Sequence, residues 1–113
     1  MDANQFEQWE ERAMTAQRLA AQAYARLLDL AERHDSGQAH RVAKFLASTL
    51  DGTAFPYDLF ELRTFDVPIA DDLMACLDAL RWGKADLHRL VPEGHERVMR
   101  LIADWGIQGQ QAT

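Results

Sequence analysis

The sequence predicts an all-α fold, a single-domain helical bundle in which one long N-terminal helix has three to four shorter helices packed on its C-terminal half. Apolar residues recur at helical spacing along the chain, and the strict two-residue alternation of a half-buried strand occurs nowhere. Helix start and stop residues divide the chain into segments. Its 113 residues suffice for one core. We assign residues 1–107 to this domain and predict a disordered tail over residues 108–113, which have no apolar pattern.

The first helix is predicted from about residue 4 to residue 34, because neither Pro nor Gly interrupts it. Asp2, followed three residues later by Gln5, is a candidate capping box. An apolar seam with a period of 3.5 residues runs along the helix and is thin in its N-terminal half. The seam begins with Phe6, Trp9, Ala13, Ala16 and Ala20 and continues through Ala23, Leu27 and Leu30. Two interpretations are open: a scaffold on which the other helices pack, or a helix that pairs with a partner or with a second copy.

A second helix is predicted from about residue 38 to residue 50. Asp35 or Ser36 is its expected N-cap, with Gln38 placed to close a capping box on Asp35. Gly52 is expected to end it in the left-handed conformation.

Shorter helical segments follow, each with its own start or stop residue. They are predicted at about residues 59–64, 66–82, 86–91 and 92–105. Gly83 and Gly106 are the expected stop residues of two of them. The inner face of the segment that ends near residue 82 is predicted to consist of Ile69, Leu73, Cys76, Leu77 and Leu80.

Composition and charge narrow the function classes. The formal net charge is −6, which argues against direct nucleic-acid binding because that rests on Lys and Arg neutralising phosphates. No apolar run approaches 18 residues, so no membrane span is expected. The single cysteine, Cys76, and the acidic, polar N-terminus predict a cytoplasmic protein.

Motifs for chemistry are weak. None of the four histidines pairs at i, i+4, and no HExxH or Cys-x-x-Cys motif occurs. A metal site of the helical phosphohydrolase type would use His34 and Asp35, and His40 and Asp66 are available as further ligands. Cys76 lies on a predicted inner helix face, no Ser lies in a nucleophile elbow, and no Gly-rich phosphate loop is present. We therefore expect no catalytic, cofactor-binding or metal-ligating residue, no cofactor and no enzymatic activity.

The centre of the chain resembles a family of short uncharacterised bacterial proteins that are often carried on plasmids and other mobile elements. The resemblance covers about residues 30–82. The residues that carry it are Ser36, Gly37, Gln38, Arg41, Val42, Ala43, Phe45, Leu46, Asp58, Leu59, Leu62, Arg63, Asp66, Ile69, Asp71, Asp72, Leu80 and Arg81. It implies a bacterial, intracellular protein of mobile-element origin, and it implies no activity.

Three functions follow from the sequence, in order of preference. The first is a non-enzymatic cytoplasmic protein–protein interaction or accessory protein, which contacts an unknown protein partner or forms a homodimer through Phe6, Trp9, Ala13, Ala16 and Ala20. The second is an acidic inhibitor of a nucleic-acid-handling or host-defence complex, of the anti-CRISPR or anti-restriction type. Its acidic surface would consist of Glu7, Glu10, Glu11, Asp71, Asp72 and Asp78. The third is a metal-dependent hydrolase.

Overall fold

The computed structural model describes residues 2–110, which form four α-helices and two short 3₁₀ helices and contain no strand. The elements are α1 (Ala3–Arg33), α2 (Gly37–Leu50), η1 (Leu59–Thr64), α3 (Val67–Trp82), η2 (Leu87–Leu90) and α4 (Gly94–Trp105). The all-α prediction is confirmed. Within the described range, no helix combines the length and the apolar character that a membrane crossing requires.

Helix α1 is the scaffold of the fold. Its 31 residues span about 46 Å, and the carboxylate Oδ1 of Asp2 accepts a hydrogen bond from the Gln5 N–H at 2.7 Å. Helix α3 packs antiparallel on it, since Arg26 of α1 pairs with Asp72 near the start of α3, whereas Arg12 lies over Trp82 at its end. The buried positions of α1 are mostly alanines, which lets the other helices approach the α1 backbone closely.

Side-chain hydrogen bonds cap the start of helix α2 and join it to the start of α3. The hydroxyl of Ser36 accepts from the Ala39 N–H at 3.1 Å and caps the helix as predicted. Gln38 does not close a box on Asp35. Its side chain reaches Asp66 instead, where Oε1 accepts from the backbone N–H at 2.8 Å and Nε2 donates to the carboxylate at 3.1 Å. This pair joins the start of α2 to the start of α3.

The expectation of a left-handed Gly52 is wrong. Helix α2 ends at Leu50, and Asp51 follows as its C-cap in an extended conformation. The Asp51 carboxylate accepts hydrogen bonds from the N–H groups of Thr53 and Ala54 at 3.1 and 3.0 Å. This Asx turn reverses the chain without a positive φ. Positive φ occurs instead at the predicted stop residues Gly83 and Gly106.

The core lies between the C-terminal half of α1 and the facing sides of α2, α3 and α4. Tyr24 is fully buried in it, and its hydroxyl shares a 2.7 Å hydrogen bond with the Thr49 hydroxyl. Burial raises the pKa of Tyr24 to about 12. The other large, fully buried side chains are aliphatic or Cys: Leu27, Leu28, Val42, Leu46, Leu73, Cys76, Leu87 and Val98.

A tight corner joins η2 to α4. Glu93 has a left-handed backbone (φ 58°), and Gly94 follows as the first residue of α4. A Cβ atom at Gly94 would lie 2.0 Å from the carbonyl oxygen of His88. Only glycine fits at this position without a backbone shift.

The chain after α4 returns to the connection between α2 and η1. The backbone N–H of Gln110 donates to the Ala54 carbonyl at 2.6 Å, and Gly109 lies beside the Phe55 ring. The predicted tail, residues 108–113, therefore has its first three residues placed against the domain. Residues 111–113 lie outside the described residues.

Candidate interaction surface

The first turns of α1 and the last turns of α3 lie side by side at one end of the molecule. The Lys84 ammonium donates to Glu10 at 2.6 Å, just beyond the end of α3. The Arg12 guanidinium lies 5.4 Å from the centre of the Trp82 indole. These two contacts show that the end of α3 and the residues after it reach Glu10 and Arg12 in the N-terminal half of α1, whereas the sequence predicted packing on the C-terminal half.

This reach changes the predicted contact surface on α1. Ala13, Ala16 and Ala20 are buried by the chain itself and are not available to a partner. Phe6 and Trp9, the first two members of the seam, are 54% and 38% exposed. Of the five predicted contact residues, these two aromatic residues are the accessible ones.

Leu80 adds a third exposed apolar side chain at the same end. It follows Leu73, Cys76 and Leu77 at steps of seven, four and three residues and was predicted to lie inward with them, but it is 53% exposed. Cys76 is fully buried one turn earlier. The contacts that place α2 and α4 involve Tyr24, Asp29, Ala31 and Glu32, in the C-terminal half of α1, so they lie away from Leu80. We call Phe6, Trp9 and Leu80 the α1–α3 tip.

Half of the predicted acidic surface is compensated within the chain. Glu10 pairs with Lys84, Asp78 pairs with Arg81 at 2.6 Å, and Asp72 forms a bidentate pair with Arg26 at 2.8 and 3.1 Å. The other three members, Glu7, Glu11 and Asp71, form no ion pair within residues 2–110. A continuous acidic face that imitates nucleic acid would need the compensated carboxylates too.

Sequence reasoning missed a second apolar feature, on η1. Leu59 and Phe60 are 65% and 73% exposed, and η1 has no buried residue. Asp58 caps η1 by accepting a 2.9 Å hydrogen bond from the Phe60 N–H. The signal that was available is two adjacent large apolar residues in a segment too short to bury both.

Two of the four candidate metal ligands, His40 and Asp66, contact other side chains of the domain. The His40 ring stacks on Trp105 with centroids 5.1 Å apart, and the Asp66 carboxylate accepts from Gln38. Across residues 2–110, no three His, Cys, Asp or Glu side chains are grouped so that they could hold a metal ion. Cys76 is buried, and burial together with the nearby Asp72 charge raises the pKa of its thiol to about 12.

Comparison with known proteins gives one match. No curated protein and no solved structure matches the chain significantly. A family model described as a family of unknown function (DUF7673) matches residues 21–106, about three-quarters of the sequence. Leu59, Phe60 and Leu80 lie inside the matched region, whereas Phe6 and Trp9 precede it. Since the match covers every helix from the middle of α1 to α4, this chain belongs to the DUF7673 family of unknown function.

Proposed function

We propose that this protein is a non-enzymatic interaction protein whose contact surface is the α1–α3 tip. One observation supports this most directly. Two rows of apolar side chains, one on α1 and one on α3, are buried in the body of the domain and continue into solvent at the same end. Exposed apolar residues at the same end of two packed helices are candidates for a contact site.

The size of the tip suits the centre of an interface. Burying a large apolar side chain contributes about 1.5–3 kcal/mol, and the three tip residues are each only partly exposed. They therefore offer a few kcal/mol together, which is less than a micromolar complex requires, about 8 kcal/mol. Aromatic residues at the centre of an interface commonly provide most of the binding energy, and the surrounding contacts exclude water. Phe6 and Trp9 have this role in the proposal.

A second copy of the chain is the partner we propose first. A two-fold symmetric dimer places the tip of one protomer on the same tip of the other. Each copy has a net charge of −6. Glu7 and Glu11 are close in sequence to Phe6 and Trp9, and neither forms an ion pair within residues 2–110. Screening by salt should therefore strengthen the dimer. Binding to a basic partner would weaken with salt, so the sign of the salt dependence separates the two kinds of partner.

Light scattering on the purified chain tests this proposal. We expect a mass between one and two chains at micromolar concentration, rising with concentration. Phe6→Ser and Trp9→Ser should each lower the association constant by about tenfold or more, because each removes an apolar anchor. Met74→Ser is the matched control, since Met74 is 56% exposed on α3 but lies away from the tip. A mass of one chain at high micromolar concentration would reject the homodimer.

The setting that we propose is the cytoplasm of a bacterium, as the family resemblance and the presence of a single cysteine suggest. Neither the acidic inhibitor nor the metal-dependent hydrolase gains a specific supporting observation. Recovery of the native partner from a bacterial host, followed by comparison of its affinity for Phe6→Ser and for Asp71→Asn, tests the interaction against the acidic alternative. A larger loss with Asp71→Asn would favour the inhibitor.

A further inference from the structure

A cavity of about 390 Å³ lies where the segment after α4 meets α2 and the connection that follows α2. It is distinct from the α1–α3 tip and independent of the function proposed above. Its lining residues are His40, Lys44, Phe55, Pro56, Gly106, Ile107, Gln108, Gly109 and Gln110. The hydrogen bond from Gln110 N–H to Ala54 holds the segment across the cavity.

The cavity is lined by apolar side chains and by the backbone segment of residues 106–110. Phe55, Pro56 and Ile107 supply the apolar surface. Within residues 2–110, the backbone N–H groups of Gln108 and Gly109 form no hydrogen bond. Ligand sites of this size typically combine apolar walls with a small number of polar groups.

The charge of the lining differs from the charge of the chain as a whole. Acidic residues outnumber basic ones by 18 to 12, but no acidic side chain lines the cavity. The 550 Å³ cavity beside α1 has Glu11 and Asp78 in its wall, and the cavity at the η2–α4 corner has Glu93 and Glu96, whereas the 180 Å³ cavity between α1 and η2 also has no acidic lining residue. The cavity described here contains Lys44 instead.

Lys44 is oriented by one partner and keeps capacity for another. Its Nζ donates to Glu61 Oε1 at 2.5 Å. An ammonium has three N–H donors, so two remain after this bond. Lys44 lines the cavity and its side chain is 38% exposed, whereas Glu61 is not among the lining residues.

We propose that this cavity binds a small monocarboxylate with an apolar body. The carboxylate accepts charge-assisted hydrogen bonds from Lys44 and further bonds from the Gln108 and Gly109 N–H groups. The apolar body lies against Phe55 and Ile107. Because Glu61 already shares the Lys44 charge and the cavity is open on one side, the affinity for a simple probe is in the millimolar range.

Benzoate is the probe, with two matched compounds that each lack one feature. Benzamide has the same shape without the charge, and acetate has the charge without the ring. A nuclear magnetic resonance titration of the full-length, ¹⁵N-labelled chain should show saturable benzoate shifts at the amides of Lys44, Gln108 and Gly109. Benzamide and acetate should each bind at least about tenfold more weakly than benzoate.

Two variants and one control connect the shifts to the cavity. Lys44→Gln removes the cation, and Lys84→Gln removes the other lysine of the chain, which is likewise paired with a glutamate. Gly109→Leu fills the cavity, and its Cβ would meet Phe55 at an ordinary 3.5 Å. Benzoate affinity should fall about tenfold in Lys44→Gln and Gly109→Leu and stay unchanged in Lys84→Gln.

Lys44→Gln can destabilise the fold, because Lys44 is the hydrogen-bond partner of Glu61 and the buried Oε2 of Glu61 has no partner within residues 2–110. In that case Gly109→Leu still tests the proposal. The absence of saturable shifts with benzoate would overturn the proposal. So would equal binding of benzamide, wild-type affinity in Gly109→Leu, or shifts located away from the cavity.

Discussion

Replacing Gly94 with alanine should destabilise the fold strongly, because the added methyl group meets backbone atoms. A Cβ at this position would lie 2.0 Å from the His88 carbonyl oxygen, 2.9 Å from its carbonyl carbon and 2.9 Å from Val91 Cγ2. The closest approach is about 1.4 Å short of the 3.4 Å at which ordinary contact begins. The carbonyl belongs to η2 and cannot rotate away as a side chain would, so η2 and the start of α4 must separate.

Overpacking that forces a backbone shift costs about 1–3 kcal/mol or more. Alanine also restricts the unfolded chain more than glycine does, which raises the free energy of unfolding by at most about 1 kcal/mol. We therefore expect Gly94→Ala to lower the free energy of unfolding by about 2 kcal/mol or more, measured by urea denaturation with circular dichroism.

Gly37→Ala is a matched control, since Gly37 is also the first residue of a helix. Its added Cβ would meet only the flexible end of Arg41, at 3.4 Å. We expect this variant to be neutral or stabilised by up to about 1 kcal/mol. If the two variants unfold within about 0.5 kcal/mol of each other, the η2–α4 corner is not packed as described.

Two further predictions concern the core and the helix junctions. Burial raises the pKa of both Cys76 and Tyr24 to about 12, from 9.0 and 10.0, so between about pH 9 and pH 12 the unfolded chain releases protons that the folded chain keeps. The free energy of unfolding in urea should therefore fall as the pH rises through this window, by up to about 1.4 kcal/mol per pH unit for each group. Cys76→Ala should make this fall less steep. A free energy of unfolding that does not change with pH would contradict the burial of the two groups. Gln38→Ala should lower the free energy of unfolding by about 1 kcal/mol, because it removes both hydrogen bonds to Asp66. Ser36→Ala, which removes the N-cap of α2, should have an effect of similar size. If the free energy of unfolding of Gln38→Ala equals that of the wild type within error, the junction between α2 and α3 contributes nothing to stability.

The positions at which helices begin and end were largely predictable from the sequence, because the signals are local. Asp2 and Ser36 bind N–H groups three residues later, and Gly83 and Gly106 adopt the left-handed conformation that stops a helix. Such interactions depend on a few adjacent residues. Gly52 was mispredicted because Asp51 supplied a local alternative through its side chain.

The candidate site was only partly predictable, because exposure depends on how far one helix extends along another. Phe6 and Trp9 were identified from periodicity, but the burial of Ala13 depends on contacts with later parts of the chain, which no local pattern reports. Leu80 has the phase of an inward residue and becomes exposed because α2 and α4 pack on the other half of α1.

The other features that the sequence did not reveal depend on contacts between distant segments. Gln38 could not be assigned to Asp66 from sequence, since 28 residues separate them. The cavity beside Lys44 requires the C-terminal segment to cross α2 and meet Phe55, more than 50 residues earlier in the chain. Side-chain chemistry was visible in both cases, but the arrangement was not.

The central claim is that the α1–α3 tip is the contact surface. A series of ¹H–¹⁵N spectra of the wild-type chain over rising micromolar concentration tests it most directly, because amides at a dimer interface shift as the dimer forms. We predict concentration-dependent shifts at Phe6, Trp9 and Leu80 that grow with added salt. Shifts confined to Leu59 and Phe60 on η1, or spectra that do not change with concentration, would contradict tip-to-tip self-association.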